Sequence, residues 1–273
     1  SKEHIIAMRQ RAIDRGLRLS EFGLIPEKDA GDLKGMAAAE FSLSAVDENE
    51  IYQHLELDWV TPELREDTGE ILAAESANLP QLIVQSDIKG SLHNHTTLSD
   101  GEASLEQMAD AARKIGWNWL GLADHSPTLK IANGASAEDL LAQGQLIKRY
   151  NSEWAEQGVD FRLFHGVESD ILEGGKLDHP DDVLAELDYT VASVHAMNKW
   201  KGRDEQTNTE ELMKCIDHPS TTILGHPTGR ILQGRDGYEV DMFAIIEYMA
   251  EYNKNGEMKA VELNASPHRL DLD

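Results

Sequence analysis

The chain has 273 residues and a formal net charge of −25, with acidic side chains outnumbering basic ones 50 to 25. That length suits one large α/β domain, or one domain plus an appendage, and the acidity weighs against a surface that grips nucleic acid through Lys and Arg without excluding it. No run of about 18 apolar residues occurs, so no transmembrane helix is expected, and the single Cys215 excludes an internal disulfide and fits a reducing cytoplasm.

Residues 1–22 form a basic segment, five basic side chains against three acidic. Ile5, Met8 and Ile13 suit a helix ending near Gly16, and Leu17, Leu19 and Phe22 alternate like a short strand. Arg9 and Arg11 interrupt the apolar run too early for a signal peptide. Residues 23–87 hold three basic side chains against fifteen acidic, with Pro26, Gly31, Gly35, Pro62, Gly69 and Pro80 as breakers. Short helices are expected around Glu48–Leu55 and Gly69–Ala77. This stretch reads as an acidic linker, a connector rather than a second core.

From Asp87 strands and helices alternate. Strands are predicted over Ile88–His93, Trp119–Asp124, Phe161–Glu168, Tyr189–His195, Thr222–His226 and Ala260–Asn264. Between the first two, Leu105, Met108, Ala109, Ala112 and Ile115 recur at helical spacing, with Gly116 placed to end the helix. Ser136 and Asp139 mark the start of another helix, and Met242, Ile245, Ile246 and Met249 form a further apolar stripe. Repeated β–α alternation implies a largely parallel sheet or a barrel.

Ionisable residues gather at the C-terminal ends of these strands, where α/β enzymes assemble their sites. His93 and His95 stand two apart, followed by Ser99-Asp100-Gly101, then Ala123-Asp124-His125, Gly166-Val167-Glu168-Ser169-Asp170, Ser193-Val194-His195 and Gly225-His226-Pro227. Imidazole with carboxylate and no thiolate suits zinc, manganese or iron rather than calcium. Six or more ligands are too many for one tetrahedral ion, so two or three metals sharing a bridging carboxylate are expected. Such clusters acidify a bound water and clamp the oxygens of an in-line displacement at phosphorus. A lone Ser-Asp-Gly is usually a turn and a lone strand-end His usually a local hydrogen-bonding residue; the conjunction at five successive strand ends is what argues for a site. His4, His54, His165, His179, His218 and His268 are expected to be surface or locally hydrogen-bonded residues, His165 being the nearest rival because it lies three positions before Glu168.

These strings, in this order, resemble the motifs of the PHP (polymerase and histidinol phosphatase) superfamily. Gly225–Leu232 (GHPTGRIL) and Glu262–Asp273 (ELNASPHRLDLD) are similar to the PHP domain at the C-terminus of bacterial family X DNA polymerases. Ser1–His4 and Leu17–Leu24 (LRLSEFGL) resemble the end of the polymerase thumb, and Thr61–Glu66 the connector that follows it.

The resemblance implies residues 1–24 as the end of a thumb, 25–86 as a linker with short helices, and 87–273 as a distorted (βα)7 TIM-like barrel. It implies two or three divalent ions, Mn²⁺ or Zn²⁺ with Fe²⁺ as a further candidate. His93 and His95 would bind one, Glu168 would bridge to a second completed by His195 and His226, and Asp100 with His125 would serve a third. His93, His95, Glu168 and His195 are the implied catalytic set; Arg230 and Arg269 would hold substrate phosphate and Asn264 would orient them. The family's final Asp-x-His motif does not occur by Asp273, so the barrel is expected to lack its last strand and the chain to be part of a longer protein. The implied activity is 3′→5′ exonuclease and 3′-end processing within a cytoplasmic DNA repair polymerase, acting on DNA 3′ ends. The alternatives are a phosphatase acting on small phosphate monoesters such as histidinol phosphate, and a non-catalytic structural module.

Overall fold

A computed structural model describes residues 1–32 and 35–272; Asp273, the last residue of the string Glu262–Asp273, lies outside them. The chain divides into two compact units, Ser1–Ile83 and Val84–Asp273.

In the first unit, Ser1 caps helix α1 (Lys2–Asp14) by accepting from the His4 amide. Gly16 then turns the chain at φ +68°, a region that costs glycine little. The strand expected after it, β1 (Leu17–Ser20), pairs antiparallel with a partner that the alternation did not announce, β2 (Gly23–Pro26). Short helices α2 (Glu27–Ala30), α3 (Met36–Ala39), α4 (Glu48–His54) and α5 (Glu70–Glu75) follow, the last two inside the ranges expected for them. The stretch is more than a connector. Tyr52, Leu55, Leu57, Val60 and Ala74 pack with Met8, Ala12 and Leu24 into one core, so a boundary at 24/25 falls inside it. Acidic composition hid this because the residues that make the core are scattered among charged and exposed ones. Nor is His4 a surface residue: fully buried, it meets Glu70 Oε1 at 2.6 Å and the Tyr52 hydroxyl at 2.9 Å.

The second unit alternates α6 (Leu105–Lys114), β3 (Trp119–Leu122), α7 (Ala137–Glu156), β4 (Arg162–Asp170), α8 (Asp181–Leu184), β5 (Tyr189–Ser193), α9 (Met197–Trp200), α10 (Glu205–Ile216), β6 (Ile223–Leu224), α11 (Met242–Lys254) and β7 (Ala260–Val261). Helix starts follow their caps. Ser104 and Gln107 close a reciprocal capping box on α6, and Ser136 accepts from the Asp139 amide at the start of α7. The five strands form one parallel sheet in the order β3-β4-β5-β6-β7. One face carries Leu120, Leu122 and Leu163 against α6 and α7, and Val167, Ala192 and Leu224 against the later helices. The other carries Ala123, Tyr189, Val191 and Ile223 with Leu92.

A closed seven-stranded barrel is not what the backbone bonds show, and the first expected strand is absent as a strand. Residues 89–94 run beside β3 and accept from it: Asn118 N to Lys89 O, Gly121 N to Ser91 O and Ala123 N to Asn94 O, at 2.8 Å each. The donors Gly121 and Ala123 are two apart while the acceptors Ser91 and Asn94 are three apart. The segment therefore bulges by one residue next to His93, which breaks the ladder. The Asn94 amide fills the gap, donating to Ser91 O and to Gly121 O.

The sheet nevertheless curls strongly. On a flat sheet β5 would lie three strand spacings, about 14 Å, from residues 89–94. The Tyr189 hydroxyl on β5 donates to Leu92 O at 2.5 Å. Its ring fits because Gly121 and Gly166 lie beneath it, where a Cβ would come within 2.5 Å and 2.4 Å of the tyrosine.

Candidate metal centre

All seven residues implied as metal ligands line one cavity of about 800 Å³ at the C-terminal ends of the strands. Glu168, on β4, is its centre and is 1% exposed. Among the described residues, five imidazoles face its carboxylate. His93, His195 and His226 bring Nε2 to Oε1 at 3.2, 3.2 and 2.9 Å. His95 Nε2 and His125 Nδ1 approach Oε2 at 3.5 and 2.9 Å. Asp100, half exposed, stands 3.6 Å from His95 and 3.5 Å from His125.

The groups able to hold an ion are His93–Glu168–His226 and His95–His125–Glu168, each offering three ligand atoms within 4.8 Å of one another. This grouping differs from the allocation that the resemblance implies, which put His93 and His95 on one ion. The bulge accounts for it: the extra residue sends the two rings to different oxygens of Glu168.

Charge supports a cationic occupant. Burial alone would raise the Glu168 carboxyl, but the surrounding imidazoles hold it well below the carboxylate range. Burial opposes charge on His93 too, yet Glu168 and Glu262 outweigh it and push that ring up to about 10. Burial holds His226 neutral, and His95 is held below the ordinary imidazole range by burial and by the adjoining His125 and His93. Neutral imidazoles keep one nitrogen lone pair each, free to ligate a cation. Two of them, His95 and His226, also leave a buried Nδ1 without a hydrogen-bond partner. The imidazoles and the Glu168 carboxylate would together fit a divalent ion, which would neutralise the buried carboxylate and supply Lewis acidity.

Several residues that hold this centre were not singled out in the sequence. Glu262, just past β7, receives His93 Nδ1 at 2.6 Å on one oxygen and the His226 amide at 2.6 Å on the other. Asp170 receives His195 Nδ1 at 3.0 Å; burial disfavours a charged His195, but the bonds to Asp170 and Glu168 push it up to about 9. Asp124, fully buried, accepts from Thr96 N, Thr96 Oγ1, Ser99 Oγ and Gln143 Nε2 at 2.7–2.8 Å, and so staples the 96–100 loop that carries Asp100. Gly101 closes that loop, where a Cβ would lie 2.4 Å from His95 O. The signal available was position: Asp124 and Asp170 sit within two residues of His125 and Glu168, and Glu262 directly follows β7.

The expected phosphate-holding residues divide. Arg269 and Asn264 line the cavity. Arg230 does not. Its guanidinium donates to the carbonyls of Arg269, at 3.0 Å, and Leu270, and it lines a neighbouring cavity with residues 231–237. Arg235, which sequence reasoning passed over, lines the metal cavity instead. His165 is not part of the centre: buried against α7, it donates from Nε2 to Leu140 O at 3.0 Å.

The comparisons with known proteins agree with this geometry. Residues 91–266 match the PHP domain and residues 1–66 the DNA polymerase beta thumb. The chain belongs to the PHP domain family. It is 39% identical over 272 residues to the "DNA polymerase/3′-5′ exonuclease PolX" of Bacillus subtilis, covering 100% of this chain and 44% of that protein. A "probable phosphatase" of Clostridium acetobutylicum is 30% identical over 178 residues, 64% of this chain and 66% of the relative. Another, from Caldanaerobacter subterraneus, is 30% identical over 165 residues, 59% of this chain and 58% of the relative. The chain thus spans less than two thirds of the length of these relatives. As a PHP domain that follows a thumb-type unit, it has the organisation of the PHP part of a family X DNA polymerase. No helix among the described residues is long and apolar enough to cross a membrane.

Proposed function

We propose that this chain is the metal-dependent phosphoesterase part of a DNA repair polymerase, acting as a 3′→5′ exonuclease and 3′-end-processing hydrolase. The observation that carries the reading is a buried glutamate faced by five imidazoles at the strand ends of a PHP domain. The match of residues 1–66 to a polymerase thumb and the likeness to PolX supply the DNA substrate. His93, His95, Asp100, His125, Glu168, His195 and His226 would hold two or three ions, Mn²⁺ foremost with Zn²⁺ and Fe²⁺ as alternatives. When bound, the ions supply Lewis acidity toward phosphorus and an activated water. Glu168 shares its oxygens between the two groups, Asp170 and Glu262 fix the ring orientations of His195 and His93, and Arg269 with Asn264 stands where phosphate oxygens would be held. The site would lie at the mouth of a distorted seven-stranded barrel, in a cytoplasmic protein whose one cysteine is buried and unpaired.

The test is degradation of a 3′-recessed duplex by the full-length protein with Mn²⁺. Wild type should shorten the recessed strand, and His93→Ala should lose that activity by two orders of magnitude or more; equal activity of the two would overturn the reading. The likeness to probable phosphatases favours a second reading, hydrolysis of small phosphate monoesters. Faster turnover of histidinol phosphate than of the duplex would establish it.

A further inference from the structure

Three kinds of side chain line the metal cavity. The first is Glu168 with its imidazoles. The second is Arg235 and Arg269, and neither is within 4.0 Å of a carboxylate among the described residues, so two guanidinium charges face the cavity without an acidic partner. Each is steadied from behind by a carbonyl: Arg235 Nε donates to Gly229 O at 3.1 Å and Arg269 Nη1 to Arg230 O at 3.2 Å. In a protein of net charge −25, two unneutralised cations side by side are arranged for an anion.

The third kind is apolar: Leu129, Ile131, Ile231 and Leu263 line the same cavity. Ile131 is 95% exposed and Leu263 74%, so they pack on nothing in their own fold. Single exposed apolar residues are ordinary. Here four apolar residues share one cavity with two cations and the imidazole–carboxylate cluster, which together suit the base, a phosphate and the scissile bond of a nucleotide. A phosphate monoester with a short polar tail would leave the apolar residues unused. The volume, about 800 Å³, falls in the range of about 300–1,000 Å³ that buries a ligand of nucleotide size.

Resting on the phosphoesterase reading above, we infer that Ile131 and Leu263 form a platform for the terminal nucleobase of a DNA 3′ end, while Arg235 holds a phosphate of the same strand. The platform covers the face of any base by apolar contact, and it gives base-bearing ends an advantage over ends that have lost the base.

The test compares two strands in the full-length protein with Mn²⁺, one ending in a normal nucleotide and one in an abasic tetrahydrofuran residue. Wild type should show a KM about tenfold lower for the base-bearing end. In Ile131→Ser/Leu263→Ser the two KM values should converge, whereas Arg235→Gln should raise both and preserve their ratio. Affinity is read separately, with metal chelated, from the emission change of a 3′-terminal 2-aminopurine. Wild type should bind that strand about tenfold more tightly than the double variant. Equal KM values for the two ends in wild type, or an unchanged ratio in the double variant, would overturn the platform and leave the phosphoesterase reading standing. Hydrolysis of neither strand by wild type would overturn both.

Discussion

Glu262 Oε1 lies 2.6 Å from His93 Nδ1, although the two residues stand at opposite margins of the parallel sheet. On a flat sheet residues 89–94 and β7 would be five spacings, about 24 Å, apart. One carboxylate therefore spans the two margins, and its second oxygen takes the His226 amide at 2.6 Å. His226 has the unusual backbone φ of +26°, immediately before Pro227, and this bond helps to hold it there. Glu262 thus orients one candidate ligand through its ring and another through its backbone.

Glu262→Gln leaves a single acceptor oxygen for two donors and sets an amide N–H against one of them. Loss of such an outer partner weakens metal binding by about 10–100-fold. Mn²⁺ titration by calorimetry should show a loss in that range with the far-ultraviolet circular dichroism unchanged. Wild-type affinity in the variant would show that His93 and His226 need no such support.

Gly144 on α7 faces the His165 ring so closely that a Cβ would lie 2.4 Å from Cε1. In an exposed helix Gly→Ala gains about 1 kcal/mol from propensity, but overpacking a core costs about 1–3 kcal/mol. His165 is buried and tied to Leu140 O, so it has little room to yield. Packing should win. Urea denaturation of Gly144→Ala is expected to show a net loss of about 1–2 kcal/mol, and the same change made in His165→Ala should be neutral or stabilising. A stabilised single variant contradicts this account.

The strand-end histidines were legible because their spacing survives any curvature of the sheet: each follows an apolar run and precedes a Gly, Pro or turn. The bulge beside His93 was not, since the extra residue in 89–94 becomes visible only when the acceptors Ser91 and Asn94 are set against the donors Gly121 and Ala123. For the same reason residues 88–93, expected as a strand, run beside β3 without forming one. Arg230 misled because a basic residue near a motif says nothing of its rotamer, and here backbone carbonyls claim it. The first unit's core escaped because Tyr52, Leu55 and Ala74 are sparse among acids, and burial of sparse residues depends on contacts far along the chain.

Buried Glu70 sets an acid limit on that first core. Burial raises its carboxyl, but bonds from His4 and from the Asp67 and Thr68 amides outweigh this and leave it below the ordinary value of 4.5. A depressed folded pKa contributes stability that is present above about pH 4.5 and is lost as pH falls through the folded value. Glu70→Gln should therefore cost about 1–2 kcal/mol at pH 7 and progressively less below pH 4.5. Chemical denaturation at pH 7 and pH 3, followed by Trp59 emission in a variant with Trp117, Trp119, Trp154 and Trp200 replaced by Phe, measures both. A cost that does not shrink in acid would mean that the Glu70 contacts act through shape rather than charge.

Removal of metal should be felt in stability as well as in catalysis. An ion that binds the folded chain alone stabilises it by about 2.7 kcal/mol at a hundredfold excess over its Kd. Glu168 supplies an oxygen to both candidate groups, so a single change tests them together. Wild type treated with chelator should melt several degrees lower than with Mn²⁺, and the shift should return on adding the ion. Glu168→Gln keeps the shape but removes the anionic oxygens that both candidate groups share, so its melting temperature should respond to Mn²⁺ weakly or not at all. An equal Mn²⁺ shift in wild type and Glu168→Gln would place the ion on other residues and remove Glu168 from the centre of the site.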